Sequence, residues 1–160
     1  MALKADRYEL QTDISFFMNE VAEKGIVVHI STVGSGAAMD QGAAKVVKKA
    51  TPSNSDVPFG ILLNDVVNKD LTRTHLNQHK DEVQLGGKVT VLRKGYIVTD
   101  QISGTPAAGE WALASVNGTV SGIADAGIEN RANLRIGKFL STKDADGYCK
   151  VEVNLHNYNS

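Results

Sequence analysis

Residues 57–100 read VPFGILLNDVVNKDLTRTHLNQHKDEVQLGGKVTVLRKGYIVTD. Residues 59–67 predict a buried β-strand, because apolar side chains dominate and Asn64 and Asp65 arrive late. Residues 88–92, KVTVL, predict a second strand. Val89 and Val91 share one face, with Arg93 if the phase continues, and Thr90 and Leu92 share the other. Gly95 permits a turn or bulge, after which residues 96–99 continue as strand. Between the two strands lies a polar excursion, residues 68–87, with charge of both signs and no long apolar run. A loop of that size in a compact domain is usually functional or disordered. The reading is a β core that carries one long hydrophilic loop, without an active-site motif in the stretch.

Outward from this core, 160 residues suit one domain with an arm. Lys+Arg is 17 against Asp+Glu 18, so the formal net charge is −1. That balance lacks the basic footprint of a nucleic-acid binder. It also leaves little repulsion between copies, which favours self-assembly or docking on a larger surface. A single cysteine, Cys149, excludes an intrachain disulfide and a cysteine-rich metal site. The first residues, MALKADRYELQTD, lack an apolar core of signal-peptide length, and no window has the length of a membrane span. A chain made in a cytoplasm, with no membrane partner, is expected.

Residues 1–25 are expected to form an arm and residues 26–160 a β domain. In the arm, residues 13–24 place Ile14, Phe17, Met18 and Val21 at helical spacing, with Thr12 or Asp13 to cap and Gly25 to stop. This predicts a short helix, with a strand over 14–18 as the alternative. Its apolar stripe suits either its own core or a neighbouring subunit. Residues 26–31 and 44–50 read as strands, and 33–42 as a small-residue loop that lacks the Lys-Ser/Thr ending of a phosphate loop. After Asp100 short strands alternate with turns: 110–115 with Trp111 as a core residue, the Asn117-Gly118 hairpin signal, 119–124, then 134–141 with Gly137 marking a bulge or a close backbone approach. The Asp-Gly turn of 144–147 follows, and 148–155 alternates cleanly. Roughly eight short strands imply an all-β barrel or sandwich.

Few residues group in a way that supports chemistry. His75 and His79 share a face only on a helix, lack a clear third ligand, and read as solvated loop residues. His29 reads as a core or half-exposed histidine. Asp144-Ala145-Asp146-Gly147 resembles the start of a calcium loop, but Glu152 falls too early to close it. Cys149 sits at a packing position, and neither a nucleophile elbow nor a carboxylate couple stands out. No catalytic, cofactor-binding or metal site is expected.

The order of these pieces resembles the head decoration, or cement, proteins of tailed bacteriophages. The likeness rests on residues 13–19, 60–70 (GILLNDVVNKD), 77–87 (NQHKDEVQLGG), 88–100, 108–112 and 136–147. It is a pattern of strands and glycines and offers no catalytic residue to transfer. The resemblance implies a mainly β protein, a small β-barrel or β-tulip-like domain that binds the outside of an assembled capsid. It implies the major capsid protein as partner, a virion location, and a homo-oligomer, with a trimer favoured. The competing readings are another β-type virion component, such as a head fibre base or tail protein, and a small ligand- or metal-binding barrel. The aromatic and arginine residues with the character of interface anchors are Tyr8, Phe16 and Phe17 in the arm and Arg73 in the loop.

Overall fold

The computed structural model describes residues 3–4, 6–31, 45–53, 55–65, 82–83, 85–123 and 132–155. Arg73, His75, His79, the 33–42 loop and most of the polar excursion lie outside the described residues. The chain is mainly β. Its strands are β1 (Tyr8–Asp13), β2 (Phe17–Met18), β3 (Ala22–Glu23), β4 (Val27–Ile30), β5 (Lys45–Val47), β6 (Gly60–Asp65), β7 (Glu82–Val83), β8 (Val89–Thr99), β9 (Ile102–Ser103), β10 (Trp111–Ala114), β11 (Val120–Ser121), β12 (Arg135–Phe139) and β13 (Cys149–Asn154).

The 11-residue β8 organises the rest. β1 runs antiparallel along one edge of it, from Tyr8 opposite Tyr96 to Asp13 opposite Val91. The other edge is therefore shared end to end. β6 takes residues 89–92 and β13 takes 94–99. From this fork two wings diverge, β6-β4-β5-β2 on one side and β13-β12-β10-β11-β9 on the other. The path is open, and no pairing among the described residues joins β2 to β9. The expected barrel is corrected to an open, forked sheet: β1 holds the edge of β8 through which one continuous sheet would otherwise have run.

The fork explains the burial pattern. Residues 60–63 are all buried because β6 is covered on both faces. Ile61 and Leu63 enter one core cluster and Leu62 the other. β8 crosses between the clusters, with Val89 and Val91 in the smaller and Leu92 and Ile97 in the larger. A strand buried on both sides reads as a continuous apolar run, which is how residues 59–67 appear in the sequence.

The expected helix over 13–24 is also corrected, in favour of the extended alternative. The Met18 N–H donates to the Gly87 carbonyl at 2.9 Å and the Val89 N–H to the Phe16 carbonyl at 3.0 Å. Met18 also lies parallel to Val46, and Ala22 pairs with Val83. An isolated helix this short is marginal, and this stretch is rich in β-branched and aromatic residues, so neighbouring backbone captures it. Ile14 (52% exposed) and Val21 (46%) do not join an apolar stripe, while Met18 and Ala22 are buried in the smaller cluster.

Turn chemistry matches the sequence. Asn117 (φ 54°) and Gly118 (φ 79°) both take positive φ between β10 and β11. A side chain on Gly137 would overlap the Glu152 carbonyl oxygen, and the ladder shifts register between Ala112 and Leu113 opposite it.

Candidate functional site

The fork creates the site. Arg93 lies between Leu92, paired to β6, and Lys94, paired to β13. Its carbonyl accepts the Leu155 N–H at 2.9 Å, and its guanidinium stacks 4.4 Å from the centre of the Phe59 ring. Phe59 is packed from another side by Phe16, ring centres 4.5 Å apart. Residue 93 therefore does not continue the alternation of Val89 and Val91, because the strand changes partners there.

Where the wings diverge, the surface sinks into an open groove of about 800 Å³. Its floor includes Phe59, Pro58, Ile136 and Leu155, and Ile30, Val57 and Trp111 stand on its rim. Four cations line it, Lys49, Arg93, Arg135 and Lys138, against two carboxylates, Asp56 and Glu152. Lys49 and Asp56 pair with each other at 3.3 Å.

Trp111 was expected in the core and is 37% exposed. The register puts it opposite Lys138 on the outward side of β10, whereas Ala112 turns inward. Two cations cover the indole, Arg135 at 4.7 Å and Lys138 at 4.8 Å from the ring. Trp111 is one end of a row of directly opposed residues crossing five strands: Trp111, Lys138, Glu152, Tyr96, Tyr8. Opposed residues project from the same face, so this row stands on the outside of the sheet. Four inter-strand steps make it roughly 19 Å long. Tyr8 is 53% exposed, with its ring 6.1 Å from that of Tyr96.

Of the expected interface residues, the structure therefore places Tyr8 on this outer row and Phe16 against Phe59 behind the groove. Phe17 is half-buried on β2, near the Lys88 ammonium. The sequence reading missed Trp111, Arg135, Lys138 and Arg93. The signal that could have found them is the outward phase of 111 and 138 in two adjacent strands.

His29 lies at the β4 end of the groove. It is buried, and neither ring nitrogen has a hydrogen-bond partner. Burial lowers its pKa to about 4, with Asp56 opposing and Lys49 assisting. It is thus neutral at pH 7. Because the folded value lies below the ordinary one, the unfolded chain binds the proton first. Stability is full above about pH 6.5 and is lost as the pH falls toward 4. The full displacement corresponds to at most about 3 kcal/mol, and water in the adjoining groove reduces this to about 2 kcal/mol. Relative to the His29→Leu variant, the parent should lose about 4–8 °C of melting temperature between pH 7 and 4.5. Parallel curves for the two proteins would refute this.

Other suggestive residues are structural. Burial pushes the Cys149 thiol up, as suits packing and not nucleophilic attack. Asp144 accepts the N–H groups of Tyr148 (2.8 Å) and Asp146 (3.0 Å) within its own turn. These bonds, led by that from Tyr148, hold its carboxyl below the usual range.

The family model described as structural cement protein (E217 gp24/Pam3 gp6) matches residues 7–154. That span includes every strand named above. No curated protein matches the chain.

Proposed function

We propose a mode of action from one premise: this chain belongs to the structural cement proteins of phages. It is a structural virion protein that stabilises the capsid. Its family is a structural one, and the account needs no catalytic step.

The proposed mechanism is mechanical. Copies sit on the outer surface of the assembled capsid and bridge neighbouring capsomers, adding buried area across seams. Residues 1–25 act as an arm whose inner side, at Met18 and Ala22, belongs to the core. Its outer side presents Tyr8, Leu10 and Ile14, each more than half exposed. That exposed apolar surface on a strand that pairs, among the described residues, with β8 alone is the observation that carries the reading. We assign Tyr8, Phe16, Phe17 and Arg73 to contact with a neighbouring subunit, and favour a symmetric trimer.

Light scattering coupled to size exclusion tests this. The parent should run as a concentration-dependent oligomer. Tyr8→Ser/Phe17→Ala should run as a monomer that melts within about 2 kcal/mol of the parent, since neither side chain is fully buried. A parent that stays monomeric at high concentration, or a variant with the parent's mass, contradicts the arm assignment.

A further inference from the structure

We propose that the groove at the fork, with the outer row that leads into it, seats an extended acidic segment of the capsid protein. The inference rests on the cement reading and deepens it by naming a surface and the chemistry of its partner.

Three observations converge. The first is composition. Trp, Tyr and Arg dominate the energetics of protein interfaces, set in surroundings that exclude water. Here Trp111 and Tyr96 stand on one outward row, and Trp111, Arg93 and Arg135 line the groove into which that row leads. The apolar rim residues Ile30 (50% exposed) and Val57 (60%) lie on the far side of the same groove.

The second is charge. The chain as a whole is balanced at −1, yet the groove carries four cations against two carboxylates, and His29 adds no charge at neutral pH. Arg135 and Lys138 crowd one indole ring from 4.7 and 4.8 Å, and among the described residues neither closes an ion pair. Two like charges held on one ring repel each other, and a carboxylate set between them removes that repulsion while gaining two charge-assisted contacts. The third is shape. The part of the row that the arm contact leaves free, Trp111 to Tyr96, spans three strand steps, roughly 14 Å, and matches about four residues of extended chain at ~3.3 Å each. The groove's open form suits a lying segment. In the seated arrangement, carboxylates meet Arg135 and Lys138, and an aliphatic side chain between them covers Phe59 and Val57.

The test is co-sedimentation of the full chain with undecorated capsids at low and moderate salt. Arg135→Glu/Lys138→Glu and Trp111→Ala should each weaken binding at least tenfold, with melting temperatures close to the parent's because these side chains are not core. Arg135→Lys/Lys138→Arg, which keeps the charge, should bind within about threefold of the parent. Binding by the parent should weaken as salt rises. Charge-reversed protein that binds capsids as tightly as the parent overturns the groove proposal and leaves the cement reading intact. A parent that does not bind capsids overturns both. A single-stranded oligonucleotide that binds the parent more tightly than capsids do, and loses binding on charge reversal, replaces the acidic segment with a nucleic acid and also overturns the proposal.

Discussion

Gly95→Ala should lower the unfolding free energy by about 3 kcal/mol or more. Gly95 has φ 145°, a region that L side chains rarely adopt. A Cβ at this position would overlap the carbonyl oxygen of Tyr8, and Tyr8 and Glu9 pair here just before β1 shifts register. The methyl therefore adds backbone strain and also pushes β1 off β8. The cost is greater because β1 covers the edge of β8 opposite the one that β6 and β13 share, and lifting it bares that edge. For a chain of this length the change should appear as a melting temperature lower by about 10 °C. Gly109→Ala is the control. Gly109 also has positive φ, 88°, but nothing lies within 4 Å of an added Cβ, so only the strain of about 1 kcal/mol remains. Equal melting of the two variants would show that the close approach of β1 and β8 is not what the fold requires.

Local features of the fold could be read from the sequence because their causes are local. Residues 59–67 read as a buried strand, Asn117-Gly118 as a hairpin turn whose residues tolerate positive φ, and residues 148–155 as an alternating half-buried strand, and the structure has β6, that turn and β13 there. Gly137 is legible as a bulge or a close backbone approach; Gly95 reads only as a turn or bulge, and its close approach to Tyr8 emerges from the structure. The fork was not legible. It depends on which strands share the edge of β8, and the partners come from residues 8–13, 60–65 and 149–154, far apart in the chain. Barrel closure depends on the same long-range choice. The arm misled through periodicity: Ile14, Phe17, Met18 and Val21 have helical spacing, but backbone at 46 and at 87–89 offers Phe16–Met18 hydrogen bonds that an isolated turn of helix cannot match.

The candidate site was legible only in pieces. Tyr8 was singled out because it is an aromatic residue in a polar arm. Its partners in the outer row, Tyr96, Glu152, Lys138 and Trp111, come from four other strands, and only their register brings them into line. Trp111 reads as a core residue from the sequence because it follows a Gly-containing turn inside a strand. Here two cations from the neighbouring strand cover its ring instead. Arg93 could not be placed without knowing that β8 changes partners at that residue.

The second large effect concerns the capsid. A protein that binds the assembled shell and not its dissociated subunits stabilises the shell by mass action, by about 2.7 kcal/mol per site at a hundredfold excess over Kd. With many sites on each particle, the increments act together on one disruption event. The expected result is a large rise in disruption temperature that saturates when the sites are full. The decisive measurement is therefore a titration of this protein into expanded, undecorated capsids, followed by thermal disruption and by the copy number that co-sediments. The account predicts that disruption temperature and bound copies rise together and level off at the same protein concentration. A disruption temperature that stays flat while saturating protein is present, with no copies bound, would contradict it.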